Sequence, residues 1–147
     1  MSPESEESMR IMAIDYGDAH TGVAVSDPTG LLAGFTTTIN AYRPEVVADR
    51  IAQLAEEHGA EELVLGHPVN MDGTLGPRSK KARAMKALLE ERTGLPVVLW
   101  DERRTTIDAH QILLNNGKDA RKRKKTVDAV AASLILEGYL TFKKSQL

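Results

Sequence analysis

One stretch near the amino terminus constrains the fold more than any other part of the chain. It runs from Ile11 to Asp27 and reads IMAIDYGDAHTGVAVSD. Two apolar runs flank a polar turn that contains Gly17, a pattern that is typical of a β-hairpin. The first run is apolar on both faces, which predicts a strand in the middle of a sheet. Asp15 then lies at the end of a buried strand.

Asp15 is therefore the first candidate functional residue. A carboxylate at the end of a buried strand is costly to desolvate unless a cation or hydrogen-bond donors satisfy it. The alternative is that Asp15 simply begins a turn, where aspartate is common. The hairpin by itself does not decide between these two interpretations.

The composition is that of one soluble globular domain. Of the 147 residues, 41% are hydrophobic and 27% are charged, which fits a single domain with a sizeable core. The chain has no cysteine, which excludes disulfides and thiolate metal sites and indicates a reducing, cytoplasmic location. No apolar run approaches the ~20 residues of a membrane span, and no secretory signal is visible. We expect residues 1–8 to form a disordered acidic extension before a single domain over 9–147.

The net charge of −2 conceals an uneven distribution of charge. Residues 76–125 hold 14 Lys and Arg against 6 Asp and Glu, whereas the rest of the chain holds 5 against 15. This split indicates one basic face and one acidic face, and a basic face suits a polyanion. The alternative is a chance division of solvated surface.

The other elements are predicted from hydrophobic periodicity and turn residues. A third strand over 31–40 extends the hairpin into an antiparallel meander. Helices are expected over 44–58, 77–92 and 105–116 and from residue 126 onward, and strands over 62–66 and 96–100. The order β-β-β-α-β-α-β-α-α predicts an α/β fold with a mixed five-stranded sheet, flanked by helices, in which α/β units follow the meander.

The loop over 67–78 is a candidate anion site. It is rich in turn-forming residues, and it brings backbone N–H groups to the start of the predicted helix that begins at Pro77. Asn70, Asp72 and Arg78 would add side-chain contacts. Such loops are also frequent as plain connections.

Two further acids lie where we expect a carboxylate to be costly. Glu102 follows the fifth strand, and Asp128 is predicted in the first turn of the last helix, on a face shared with Ala132 and Ile135. Three carboxylates that converge at one sheet end would repel one another unless divalent cations joined them, and carboxylate oxygens suit Mg²⁺ or Mn²⁺. Two such ions ~3.5–4 Å apart form the clamp used for in-line attack on phosphodiesters. The alternatives are that Glu102 pairs with Arg103 or Arg104, and that Asp128 is stabilised only by the helix dipole.

The sequence resembles the YqgF/RuvX family of Holliday junction resolvases, which are also assigned as pre-16S rRNA nucleases. The matching segments are DYG…GVAVSD at 15–27, NMDGTLGPR at 70–78, DERRTT at 101–106 and RKRKKTVDAVAASLIL at 121–136, within a resemblance over residues 9–142. The resemblance implies an RNase H-like fold and a nuclease that acts on pre-16S rRNA or on recombination intermediates. It also implies that Asp15, Glu102 and Asp128 are the catalytic metal ligands, with two Mg²⁺ or Mn²⁺ ions. A junction resolvase that acts on two strands would favour a homodimer.

Two positions depart from the family pattern. The family usually has a basic residue, most often arginine, where this chain has His20. It usually has Gly-Leu-Pro where this chain has Gly66-His67-Pro68. The first change affects a contact near a metal or a phosphate, since histidine is only partly charged at neutral pH. The second change, a histidine in place of leucine at position 67, is interpreted as a change within a loop.

A run of basic residues fits the same function. It is predicted as a loop before the last helix and comprises Arg121, Lys122, Arg123, Lys124 and Lys125. With Asn70, Arg78, Arg103 and Arg104, these residues would bind the backbone of pre-rRNA or of branched or single-stranded DNA, with little reading of base sequence. The alternative is a solvated loop.

Two other functions stay open on the sequence alone. Phosphotransferases of the actin and sugar-kinase type also have Asp-x-Gly after a strand, but they need two such domains around a nucleotide. A module with this fold could also bind nucleic acid or the ribosome without cleaving anything.

Overall fold

The computed structural model describes residues 9–30, 32–70, 72–102 and 120–146. The strands are β1 (Ile11–Asp15), β2 (His20–Ser26), β3 (Ala33–Asn40), β4 (Glu62–His67) and β5 (Val97–Asp101). The helices are α1 (Pro44–His58), α2 (Pro77–Thr93) and α3 (Ala120–Ser145). The order predicted from the sequence is confirmed for these elements. The predicted helix over 105–116 and the predicted extension over 1–8 lie outside the described residues.

The five strands form one mixed sheet in the order β3-β2-β1-β4-β5. The meander is confirmed, because β2 pairs antiparallel with both β1 and β3. β1 also pairs in parallel with β4, and β4 pairs in parallel with β5. β1 is thus the central strand, and Met12, Ala13 and Ile14 have no exposed surface. The predicted α/β fold is confirmed.

The core lies on both faces of this sheet because successive strand residues point to opposite sides. Met12 and Ile14 belong to a cluster completed by residues of α1 and α2, such as Ile51 and Met85. Ala13 belongs to a second cluster completed by residues of α3. The acidic end of β1 is therefore held between two packed layers.

Helix α3 runs antiparallel to β4. The side chain of Ile135 lies beside Gly66, near the carboxyl end of β4. The hydroxyl of Tyr139, one turn later, donates a 3.1 Å hydrogen bond to Glu62 at the amino end of the strand. The helix therefore passes from the carboxyl edge of the parallel strands towards their amino edge, and its first turns lie at or beyond the carboxyl edge.

The start of α3 corrects the sequence-based expectation. The helix begins at Ala120, so residues 121–125 lie in its first two turns and not in a preceding loop. Alanine, arginine and lysine are all strong helix formers, which explains the longer helix. Asp128 consequently lies in the third turn and not in the first. The dipole acts mainly within the first turn, so the alternative of an acid stabilised only by the helix end is wrong.

Candidate metal and nucleic-acid site

Two of the three candidate acids meet at the carboxyl edge of the parallel strands. Asp15 is the last residue of β1, and Glu102 directly follows β5. Strand β4 lies between them, yet the two side chains share a hydrogen bond. A Cβ atom added to Gly66 of β4 would lie only 2.9 Å from Oε1 of Glu102. The missing side chain at Gly66 therefore gives the Glu102 carboxylate room over β4.

The environment strongly disfavours a negative charge on Asp15. Burial, followed by the hydrogen bond and the negative charge of Glu102, raises the pKa of Asp15 from 3.8 to about 8. The positive charge of Arg78 acts in the opposite direction. The shared proton limits the repulsion between the two carboxyl groups. A divalent cation bound at the same place would have the same effect. The donor set would suit Mg²⁺ or Mn²⁺, since both candidate ligands are carboxylates.

The side chain of Asp128, the third predicted ligand, lies outside the described residues, although its backbone belongs to α3. Among the side chains that are described, no three His, Cys, Asp or Glu residues group closely enough to hold a metal. The structure therefore places Asp15 and Glu102 together, and the third ligand stays a prediction.

A groove lies between the residues that follow β1 and the start of α2. It encloses about 230 Å³ and is lined by Tyr16, Gly17, Asp18, Pro68, Arg78, Lys81 and Ala82. The first turn of α2 contains no acid, and its N-cap residue, Gly76, has no side chain that could cap the helix. Lys81 Nζ lies 2.8 Å from Asp18 Oδ1, and both side chains are largely exposed. This surface combines basic groups with a helix N-terminus.

The remaining predicted contact residues divide into two groups. Asn70 is described, and its amide donates a 2.9 Å hydrogen bond to Thr74 Oγ1, while Asp72 accepts hydrogen bonds from the same threonine. Asn70 and Asp72 thus shape the loop that precedes α2, and contact with nucleic acid stays a prediction for Asn70. The other group lies outside the described side chains: Arg103, Arg104, Arg121, Lys122, Arg123, Lys124 and Lys125.

One polar pair at the site was not predicted. Nε2 of His67 and Oγ of Ser79 share a 2.6 Å hydrogen bond, and Ser79 has no exposed surface. His67 is the last residue of β4, so its interpretation as a loop change is wrong. The two residues are 12 positions apart in a segment without periodicity, and no sequence signal joins them.

Comparison with known sequences identifies the family. The sequence model of the RuvX family, described as Holliday junction resolvase, matches residues 9–142. The chain belongs to the RuvX family. A RuvX relative from Halothermothrix orenii is 42% identical over 135 residues, which cover 92% of this chain and 96% of the relative. Another, from Listeria monocytogenes, is 43% identical over 134 residues, which cover 90% of this chain and 97% of the relative. Both relatives are named "Putative pre-16S rRNA nuclease".

Comparison with solved structures shows that the RuvX chain has the fold of RuvC. Thermus thermophilus RuvC, solved in complex with a Holliday junction substrate, superposes with a TM-score of 0.61 at 16% identity over 93% of this chain and 96% of RuvC. A ROK hexokinase from Thermus thermophilus gives a TM-score of 0.50 at 24% identity, but this chain spans only 38% of it. The sugar-kinase alternative requires two such domains, and the RuvX chain corresponds to one part of the kinase.

Proposed function

We propose that this RuvX-family protein is a divalent-metal-dependent nuclease that hydrolyses phosphodiester bonds. The observation that carries the proposal is the Asp15–Glu102 pair. Two acids at the ends of strands that are not neighbours share a hydrogen bond beside a glycine that leaves room for them. Such a pair is unfavourable for folding by itself, because two close carboxylates repel one another when both are ionised. A role in binding cations accounts for it.

Asp128 is the proposed third ligand, and the course of α3 supports it. Residues 128, 132, 135 and 139 recur at helical spacing, and Ala132, Ile135 and Tyr139 are buried against the sheet. Asp128 precedes Ile135 by two turns, which is about 10 Å along the helix axis. Because α3 runs from the carboxyl edge to the amino edge, residue 128 lies on the side where Asp15 and Glu102 meet.

The three acids would hold the divalent ions in the proposed reaction. Asp15, the last residue of the central strand β1, and Glu102, which follows β5, would bind the ions from the edge of the sheet, and Asp128 would complete the site from α3. Divalent ions bound there would activate the attacking water and stabilise the charge on the leaving oxygen. Burial of the carboxylates strengthens their attraction for cations, since fewer water molecules screen the charges.

Nucleic acid would approach this edge along basic residues. Arg78 is near enough for its charge to influence Asp15 and Asp18, and it lies on the groove. The first two turns of α3 bring residues 121–125 to the same edge of the sheet, and Arg103 and Arg104 directly follow Glu102. Contacts of this type bind phosphates and read little sequence.

The proposed substrates are the 5′ end of pre-16S rRNA and branched DNA. The names of the two relatives support the first, and the description of the RuvX family supports the second. A homodimer is proposed for the junction substrate, because two strands must be cut. A cytoplasmic location is also proposed, on the absence of cysteine.

A cleavage assay over three substrates tests the proposal. The purified chain is incubated with a precursor RNA containing the 5′ leader of 16S rRNA, a four-way DNA junction and single-stranded DNA, each with Mg²⁺, Mn²⁺ or chelator. We expect metal-dependent cleavage of at least one substrate and none by Glu102→Gln. Binding without cleavage in every condition would contradict the nuclease and favour a non-catalytic module.

A further inference from the structure

The hydrogen bond between His67 and Ser79 joins two elements of the candidate site. His67 ends β4, the strand that separates Asp15 from Glu102. Ser79 is the third residue of α2. The bond of 2.6 Å therefore fixes the first turn of the helix to the carboxyl edge of the sheet, between the two acids.

The burial of Ser79 makes this bond consequential. Its side chain has no exposed surface, so water cannot replace a lost partner at the hydroxyl. A buried hydroxyl without a partner costs free energy, because its lost hydrogen bonds to water are not replaced. The first turn of α2 would shift to relieve that cost, and its other residues would move with it.

Arg78 is the residue that such a shift would displace. It precedes Ser79 directly and lines the groove together with Pro68, which directly follows His67. Its guanidinium group is close enough to Asp15 to influence that carboxyl group electrostatically. The groove wall thus includes one residue directly adjacent to each member of the hydrogen-bonded pair.

We propose that His67 is a positioning residue that, through Ser79, holds Arg78 beside the Asp15–Glu102 pair for contact with a substrate phosphate. The inference rests on the proposed function and adds to it a residue that acts through another. His67 itself touches neither substrate nor metal in this account. Its hydrogen bond fixes the direction of the helix turn that carries the arginine.

Salt-dependent binding of nucleic acid provides the test. The full chain and its variants bind a fluorescent four-way junction and the 5′-leader RNA in Ca²⁺, over a series of salt concentrations. Arg78→Gln should lower the slope of log K against log salt by about one, because one phosphate contact is lost. His67→Leu, which leaves the buried Ser79 hydroxyl without its partner, should lower it by a similar amount, although this change removes no charged phosphate ligand.

Two further variants separate positioning from general destabilisation. His67→Gln, which can still bond to Ser79, should recover most of the slope. The double variant His67→Leu/Arg78→Gln should bind like Arg78→Gln alone, since residues that act as one unit are not additive. Melting temperatures establish that every variant is folded at the assay temperature.

The outcomes distinguish this inference from the proposed function. An unchanged slope in folded His67→Leu, or an additive loss in the double variant, overturns the positioning role while wild-type cleavage leaves the nuclease standing. A wild-type protein that neither binds nor cleaves any of the nucleic acids overturns both.

Discussion

The carboxyl groups of Asp15 and Glu102 share a hydrogen bond, although Asp15 ends β1, Glu102 follows β5, and β4 lies between these two strands. Gly66 makes this contact possible, because a side chain there would meet the Glu102 carboxylate. Without a cation, the pair retains a proton to limit its own repulsion. The folded protein therefore carries an unfavourable charge arrangement that bound metal would relieve.

The first prediction concerns the pH dependence of stability without metal. The pKa of Asp15 is raised from 3.8 to about 8, so the folded state binds this proton more tightly than the unfolded state does. The contribution of this proton to the free energy of unfolding is complete below about pH 4 and is lost as the pH rises through about 8. We expect the free energy of unfolding in chelator to fall by at most about 1.4 kcal/mol per pH unit across this window.

Urea unfolding at pH 5, 6, 7 and 8 measures this dependence. Asp15→Asn is the matched control, and its curve should be flatter because the titrating group is gone. Mn²⁺ should reduce the decline in the wild type by replacing the proton. Identical curves for wild type and Asp15→Asn in chelator would show that Asp15 is not held as described.

The second prediction concerns Gly66→Ala. The new Cβ would lie 2.9 Å from both Oε1 of Glu102 and Cδ1 of Ile135. Both atoms are the ends of flexible side chains, so they can move and the fold should lose only about 1–3 kcal/mol. Displacement of the Glu102 carboxylate should nevertheless abolish the Mn²⁺-dependent rise in melting temperature.

The double variant Gly66→Ala/Ile135→Val is the control for this prediction. It makes room on the isoleucine side only, so it should not recover the response to Mn²⁺. Full recovery would mean that core packing, and not the position of Glu102, explains the single variant.

The order of strands and helices could be predicted because it depends on patterns within short stretches of sequence. The apolar run of β1 that ends in Asp15 indicates a central strand, and the alternation of strand and helix signals determines the sheet. Glu102 follows from its place after β5. The start of α3 was misplaced because alanine, arginine and lysine are strong helix formers, and they extend the helix to Ala120, before its predicted start at residue 126.

The contacts within the site could not be predicted in the same way. The approach of Glu102 to Asp15 depends on Gly66, which is 36 positions before Glu102 and resembles any glycine in a strand. The His67–Ser79 bond depends on how α2 packs against β4. Both relationships arise from tertiary packing, which leaves no periodic pattern in one sequence.

The third prediction concerns the basic start of α3. Replacing Arg121, Arg123 and Lys125 with glutamine should weaken binding to every nucleic acid tested and flatten its salt dependence. The melting temperature should stay the same or rise, since glutamine is a good helix former and the dipole disfavours cations at a helix N-terminus. Lys144→Gln, near the other end of α3, should leave binding unchanged. Equal loss of binding in that control would count against a specific basic surface.

The fourth prediction concerns the pair formed by Asp18 and Lys81. Their contact lowers the pKa of Asp18 and raises the pKa of Lys81, and both side chains are exposed on the groove. Asp18→Asn should free Lys81 for phosphate and raise nucleic-acid affinity roughly two- to fivefold at low salt, a modest effect typical of exposed charges. Asp18→Glu is the charge-preserving control. Affinity that falls in Asp18→Asn would show that Asp18 itself serves binding.

The central claim is that Asp15 serves metal-dependent chemistry more than it serves folding. Melting curves of wild type and Asp15→Asn, each with and without Mn²⁺ and paired with a cleavage assay, test it most directly. Asp15→Asn should melt at the same or a higher temperature than wild type in chelator, gain much less on adding Mn²⁺, and cleave nothing. A variant that melts clearly lower in chelator, keeps the full response to Mn²⁺ and still cleaves its substrate would contradict the account.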